Sequence, residues 1–340
     1  MRRIPVIALT GFLGAGKTTL LNHVLSQPGA RVGVVVNDFG DINVDATLVT
    51  GQVDEAASIA GGCLCCLADD APLDEALEKL TRPRLGVDAV IVEASGVADP
   101  TAMERLIRFS GSGRVRPGGI VDVIDAVEYF STVDTGDAVP ARFAAASLVV
   151  INKCDRLPED GREQALARIE RRVREGNPSA HVIRTSGGRV DPALLFDTAR
   201  QESPAVQLTF ADALHETGPR HDHQHAAAVT ARSATPVDPA LLVDLLEDPP
   251  PGAYRIKGRV TVESGRGTRG YVVNVVGRSV HVASAGPGRD RGDDASELVA
   301  VGLHLDADEA RRRLEKALAP AGTASADGQR RLQRYRRFSR

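Results

Sequence analysis

The chain has 340 residues, of which 42% are hydrophobic and 26% charged, and a formal net charge of −3. That length and balance suit two cored domains and exclude disorder throughout, while the near-neutral charge gives no global case for nucleic acid or an anionic membrane surface. No apolar run is long enough to span a bilayer, the N-terminal apolar run leads into a glycine-rich loop and not a cleavage site, and only four cysteines occur, so a cytoplasmic protein without a disulfide framework is expected.

In chain order, residues 4–10 read as a strand that feeds G-F-L-G-A-G-K-T at residues 11–18, a match to G-x-x-x-x-G-K-[ST], and a helix follows over 17–26. Such a turn aims backbone N–H groups and a helix N-terminus at one point, which suits a chain of phosphates. The expected cradle runs over Gly11, Gly14, Ala15, Gly16, Lys17, Thr18 and Thr19. Lys17 is placed against the β- and γ-phosphates and the Thr18 hydroxyl on Mg²⁺. A strand at 31–36 leads into N-D-F-G-D-I-N-V-D, where Asp38, Asp41 and Asp45 occupy the position of a switch loop.

Cys63, Cys65 and Cys66 follow Gly61 and Gly62. Three thiols within four residues form an incomplete soft-metal set, suited to Zn²⁺ or Cu⁺ in transit, with a fourth ligand from Asp38, Asp41, a histidine, water or a partner. Core cysteines or a redox pair are the other readings of this cluster. The strand at 89–93 ends on Glu93-Ala94-Ser95-Gly96, where Glu93 could serve the Mg²⁺ shell or orient the attacking water and Gly96 could donate its N–H to the γ-phosphate. Strands at 120–124, 148–151 and 182–185, with a helix at 162–175, complete six strands of a mostly parallel sheet.

Directly after the strand at 148–151 stands Asn152-Lys153-Cys154-Asp155, an N-K-x-D sequence. A carboxylate there accepts from N1–H and N2–H₂ of guanine, whereas adenine would leave it unpaired. Lys153 lays its stem across the base, Asn152 braces the loop, and Thr185 and Ser186 supply a second base-side loop. Between residues 201 and 236 periodicity fades among His215, His221, His223 and His225, which reads as a linker. A smaller α+β domain follows over 237–320, with helices at 239–246 and 306–318 and strands at 254–262, 271–276, 279–283 and 298–303. Residues 321–340, with six arginines among the last eleven, read as a basic, solvated, disordered tail. The expected organisation is thus a P-loop NTPase domain over 1–200, the linker over 201–236, the C-terminal domain and the tail.

These segments resemble the CobW-type GTPases, metallochaperone-like relatives of the urease and hydrogenase accessory GTPases. The resemblance rests on T-G-F-L-G-A-G-K-T-T-L-L-N at residues 10–22, G-G-C-L-C-C at 61–66, E-A-S-G-V-A-D-P at 93–100, N-K-C-D at 152–155, N-P-S-A at 177–180 and Y-R-I-K-G at 254–258. It implies a slow, Mg²⁺-dependent GTPase in which Lys17, Thr18, Glu93 and Gly96 act on GTP. It further implies a transition metal, Zn²⁺ or Co²⁺, held at Cys63, Cys65 and Cys66, and transfer to a client metalloprotein under nucleotide control.

The alternatives are a cobalt-handling GTPase for cobalamin synthesis or nitrile hydratase activation, and a non-catalytic metal buffer. Binding of RNA by the basic tail has little support, no membrane partner is expected, and a homo-oligomer is compatible. Where the family usually reads N-E-F-G-E, this chain has Asn37-Asp38-Phe39-Gly40-Asp41, with two shorter carboxylates. The histidine tract is short for the family. The phosphate loop begins almost at once, which leaves no room for an added N-terminal docking segment.

Overall fold

The computed structural model describes residues 3–26, 31–37, 56–59, 71–96, 98–136, 138–196, 226–264, 267–285, 295–320 and 325–339. Strands β1 (Ile4–Gly11), β2 (Val32–Asn37), β3 (Ala56–Ile59), β4 (Ala89–Glu93), β5 (Val115–Asp125), β6 (Leu148–Asn152) and β7 (His181–Arg184) form one parallel sheet in the order β3-β2-β4-β1-β5-β6-β7. The connecting helices are α1 (Lys17–Leu25), α2 (Ala71–Leu80), α3 (Pro100–Arg108), the single turn α4 (Tyr129–Thr132) and α5 (Arg162–Gly176).

The near-continuous apolar runs of β1, β4 and β6 are explained by burial on both faces. Ile7, Leu9, Ile91 and Val123 pack on one face against Leu20, Leu21 and Val24 of α1. Val6, Ala8, Val90 and Val92 pack on the other against Leu77 of α2 and Met103 of α3. All six expected strands are present, and β3 is a seventh, whose A-A-S-I sequence is too short and small to stand out.

The C-terminal domain is an antiparallel sheet of β8 (Ala227–Ser233), β9 (Arg255–Ser264), β10 (Gly267–Val276), β11 (Ser279–Ser284) and β12 (Ser296–Gly302), in the order β11-β10-β9-β12-β8. Helices α6 (Pro239–Glu247), α7 (Ala307–Ala317) and α8 (Ala326–Phe338) accompany it. Leu242, Leu246, Leu314 and Leu332 cover Ile256, Val260, Val273 and Leu298. Aspartates start α6 and α7: Asp238 accepts from Ala240 N, and Asp306 from Asp308 N and Glu309 N, satisfying amides that a helix start leaves open.

Two expectations fail here. Residues 227–233, read as linker, form β8, because Val229 and Ala231 supply just enough apolar surface to join the core beside β12. The basic tail forms α8, with its N-terminus capped by Ser325 Oγ on Gly328 N. Leu332 is buried, and Arg331 binds Asp244 at 2.8 Å and Glu247 at 2.6 Å. Each exposed pair contributes little; the buried stripe seats the helix, and the opposite charges on α6 match its arginines.

The two domains share a core. Tyr254, Val276, Val299 and Val301 join the cluster over α1, Tyr254 Oη lies 3.1 Å from Ser147 Oγ, and the His181 ring meets Tyr254 edge-on with centroids 5.1 Å apart. Burial, then the charge of Arg174, pushes His181 down to about 4 despite a backbone hydrogen bond to Ala253. Burial, then Arg116 and Arg3, pushes His281 down to about 4 as well. Both are neutral when folded and take up protons when unfolded, so stability falls as pH drops from about 6.5 towards about 4. At pH 5 each costs on the order of 1–2 kcal/mol relative to pH 7. Thermal melts at the two pH values should therefore show a drop in Tm that is smaller in the His181→Gln, His281→Gln double variant.

Candidate nucleotide site

β1 delivers the chain to Gly11, whose φ is 147°; a Cβ built there would lie 2.3 Å from Val123 O. Gly14 and Gly16 also hold positive φ, at 77° and 104°, so the turn adopts a backbone that L side chains disfavour. Among the described residues no side chain caps α1 at Gly16, and a helix start of this kind suits an anion. Lys17 is 9% exposed and folds its Nζ back to Gly11 O at 3.0 Å and Phe12 O at 3.5 Å.

Thr18 lies beside the end of β4: its Oγ1 donates to Glu93 Oε1 at 2.8 Å, and Glu93 is 1% exposed. A Cβ on Gly96 would come within 2.9 Å of Leu13 N and Cα, so only glycine lets the turn after β4 press against the crest of the phosphate loop. Lys17, Thr18, Glu93 and Gly96 are therefore brought together. Ala15 N donates to Phe12 O at 3.1 Å, while the Thr19 side chain is exposed.

The N-K-C-D loop is tied to this turn by Asn152. Its Nδ2 donates to Ala15 O at 2.9 Å, its Oδ1 accepts from Gly188 N at 2.9 Å, and it is almost wholly buried. Lys153 has a φ of 62° and pairs with Asp125 at 2.5 Å. Asp155 exposes its side chain while its amide donates to Ser186 Oγ at 3.2 Å. Thr185 turns its hydroxyl to Arg189 O at 2.6 Å and its carbonyl accepts from Cys154 N at 3.2 Å, so it anchors the N-K-C-D loop. Asn152→Ala removes two buried hydrogen bonds and should cost about 2–4 kcal/mol. The check is urea unfolding, with weakened GDP binding as the second readout.

A family model for the CobW/HypB/UreG nucleotide-binding domain matches residues 5–184. The chain belongs to that family. A model for the cobalamin synthesis protein cobW C-terminal domain matches residues 226–318 of this CobW/HypB/UreG member. It is 29% identical to a zinc chaperone CobW from Sinorhizobium sp over 348 residues, which takes in 91% of this chain and 95% of that protein. It is 32% identical to the zinc chaperone YjiA of Escherichia coli over 207 residues, 58% of this chain and 62% of that protein. It is also 32% identical to zinc-regulated GTPase metalloprotein activator 1 of Schizosaccharomyces pombe over 198 residues, covering 55% and 47%.

The expected metal ligands Cys63, Cys65, Cys66, Asp38 and Asp41 lie outside the described residues of this family member, as do His215, His221, His223 and His225. Among the described residues no group of three or more His, Cys, Asp or Glu side chains could hold a metal. Cys154 is half-buried, and its burial raises the thiol pKa, opposing the thiolate that metal binding needs.

Sequence reading passed over a second set beside the phosphate loop. Asp122 on β5, fully buried, receives Arg142 Nε at 2.8 Å and Nη2 at 2.7 Å, and Thr10 Oγ1 at 2.8 Å. Burial opposes the Arg142 charge, but the hydrogen bonds and charge of Asp122 outweigh it and raise the pKa. The bidentate pair ties β5 to the turn at 141–144, and the Thr10 bond ties the end of β1 to β5 just before the loop. Asp122 could be suspected from the carboxylates of V-D-V-I-D, but no local signal marks Arg142.

Proposed function

We propose that this protein is a cytoplasmic GTPase that converts GTP to GDP and phosphate, and that nucleotide state controls its hold on Zn²⁺ before transfer to a client metalloprotein. The observation that carries the nucleotide half is the convergence of Thr18 Oγ1 on Glu93 Oε1, 2.8 Å apart, at the uncapped start of α1. These hard oxygen donors fit Mg²⁺, which would supply charge neutralisation at the phosphates. Lys17 would leave the Gly11 carbonyl for the β- and γ-phosphates, and backbone N–H groups of Gly14, Ala15, Gly16, Lys17, Thr18 and Thr19 would ring them. Asp155 would accept from the guanine edge, while Lys153, oriented by Asp125, would cover the base.

The metal half is supported by the thiols at Cys63, Cys65 and Cys66 and by relatives named zinc chaperones, which favour zinc over cobalt as cargo. Asp38 and Asp41 are the proposed oxygen ligands beside the thiolates. Among the described residues no helix is long and apolar enough to cross a membrane. The test is phosphate release from GTP and Mg²⁺ with and without equimolar Zn²⁺. Zinc should change the slow rate several-fold in the wild type and leave Cys65→Ser unmoved. Identical rates with and without zinc in the wild type would refute the coupling.

A further inference from the structure

The C-terminal sheet buries one face under its helices; the register assigns the other. His281, Asn274 and Lys257 are cross-strand partners in one row, and Arg259 and Glu297 are partners in the adjacent row. Residues two apart on a strand share a face, so these side chains stand together opposite the helices. Arg116, near the start of β5, reaches this face: its Nη2 donates to Asn274 Oδ1 at 3.0 Å and its Nη1 to Pro117 O at 3.3 Å, with the residue 6% exposed. Arg3, just before β1, donates from Nη1 to Ser339 O at 2.8 Å.

These residues, apart from the acceptors Pro117 and Ser339, line one cavity of 430 Å³. Its described lining carries four cations, Arg3, Arg116, Lys257 and Arg259, against one carboxylate, Glu297, which also receives Arg232 Nε at 3.3 Å. The neutral state of His281 reflects its burial and the charges of Arg116 and Arg3. Like charges from both domains are thus gathered into a half-enclosed space, where screening is weaker than on an open surface. The cavity lies by the amino ends of β1 and β5, whereas the phosphate loop follows the other end of β1, about 25 Å away by strand length.

We propose that this cavity binds a compact oxyanion carrying two or more negative charges on phosphate or carboxylate groups. Guanidinium forks suit both chemistries, and a space of 430 Å³ suits a small molecule. Because Arg3 and Arg116 come from the nucleotide domain and Lys257 and Arg259 from the C-terminal domain, the bound anion bridges the two and stabilises their contact.

The test is calorimetric titration of the full chain, saturated with GDP to block the phosphate loop, with inorganic pyrophosphate and separately with citrate. Saturable binding is expected for at least one, weakened about tenfold or more in Lys257→Gln and in Arg116→Gln and unchanged in Arg312→Gln, an exposed arginine outside the cavity. Tighter pyrophosphate than citrate binding assigns a phosphate ligand, and the reverse a carboxylate ligand. If Arg116→Gln melts early, Lys257→Gln decides. Retention of binding in Lys17→Ala separates this site from the nucleotide site even if GDP does not bind. No binding of either probe at millimolar concentration, or equal affinity in Lys257→Gln, overturns the proposal.

Discussion

Replacing Lys17 with alanine should lower GTP turnover by about a hundredfold or more, the scale of losing one preorganised charged donor at a phosphoryl-transfer site. In the structure the ammonium is already inside the loop, 3.0 Å from Gly11 O and 9% exposed. A move to the phosphates would exchange backbone carbonyl acceptors for charged oxygens, so the interaction would strengthen where negative charge gathers. Alanine has a high helix propensity at the first turn of α1 and leaves the glycine turn intact. Single-turnover hydrolysis, with circular dichroism to confirm the fold, checks this. A turnover within threefold of wild type would exclude Lys17 from the reaction.

Asp155→Asn should weaken GDP binding by about a hundredfold, the equivalent of two charge-assisted hydrogen bonds at roughly 1.5 kcal/mol each, and should tighten XDP binding. Guanine offers two donors to a carboxylate, whereas an asparagine amide turns a donor towards N2–H₂. Xanthine replaces that amine with a carbonyl, which the amide can satisfy. The Asp155 side chain is exposed and its backbone amide is held independently by Ser186 Oγ at 3.2 Å, so the substitution should leave the fold unchanged. Competition between GDP and XDP for a fluorescent nucleotide, in both proteins, reads the switch.

The placement of the phosphate loop, Glu93, Gly96 and Asn152 was legible because it follows from short-range patterns: glycines where φ is positive, a carboxylate at a strand end, a polar tetrapeptide after an apolar strand. β4 occupies the expected residues, Ala89–Glu93, because its five apolar or end-capping positions are bounded by turns. The first half of β5 was hidden because Val115-Arg116-Pro117-Gly118-Gly119 breaks strand composition. The structure accommodates it with a register shift opposite Val6 and Ala8 and a φ of 107° at Gly119.

The Asp122–Arg142 pair joins residues with no shared local motif, and Thr185 anchors a loop through its own hydroxyl and carbonyl, which residue type alone does not reveal. For α8, arginine-rich composition suggested a solvated end. Its seat is the core that buries Leu332, and the acids matching Arg331 are Asp244 and Glu247 of α6, far away in sequence.

The central claim, that nucleotide state sets the hold on the metal, is tested most directly by titrating Zn²⁺ into the reduced protein against a competing chelator. One titration is run in GDP, and one in a slowly hydrolysed GTP analogue with Mg²⁺. Linkage requires the two affinities to differ, here by about tenfold, and the difference to vanish in Cys65→Ser. Equal zinc affinity in the two nucleotide states would contradict the account.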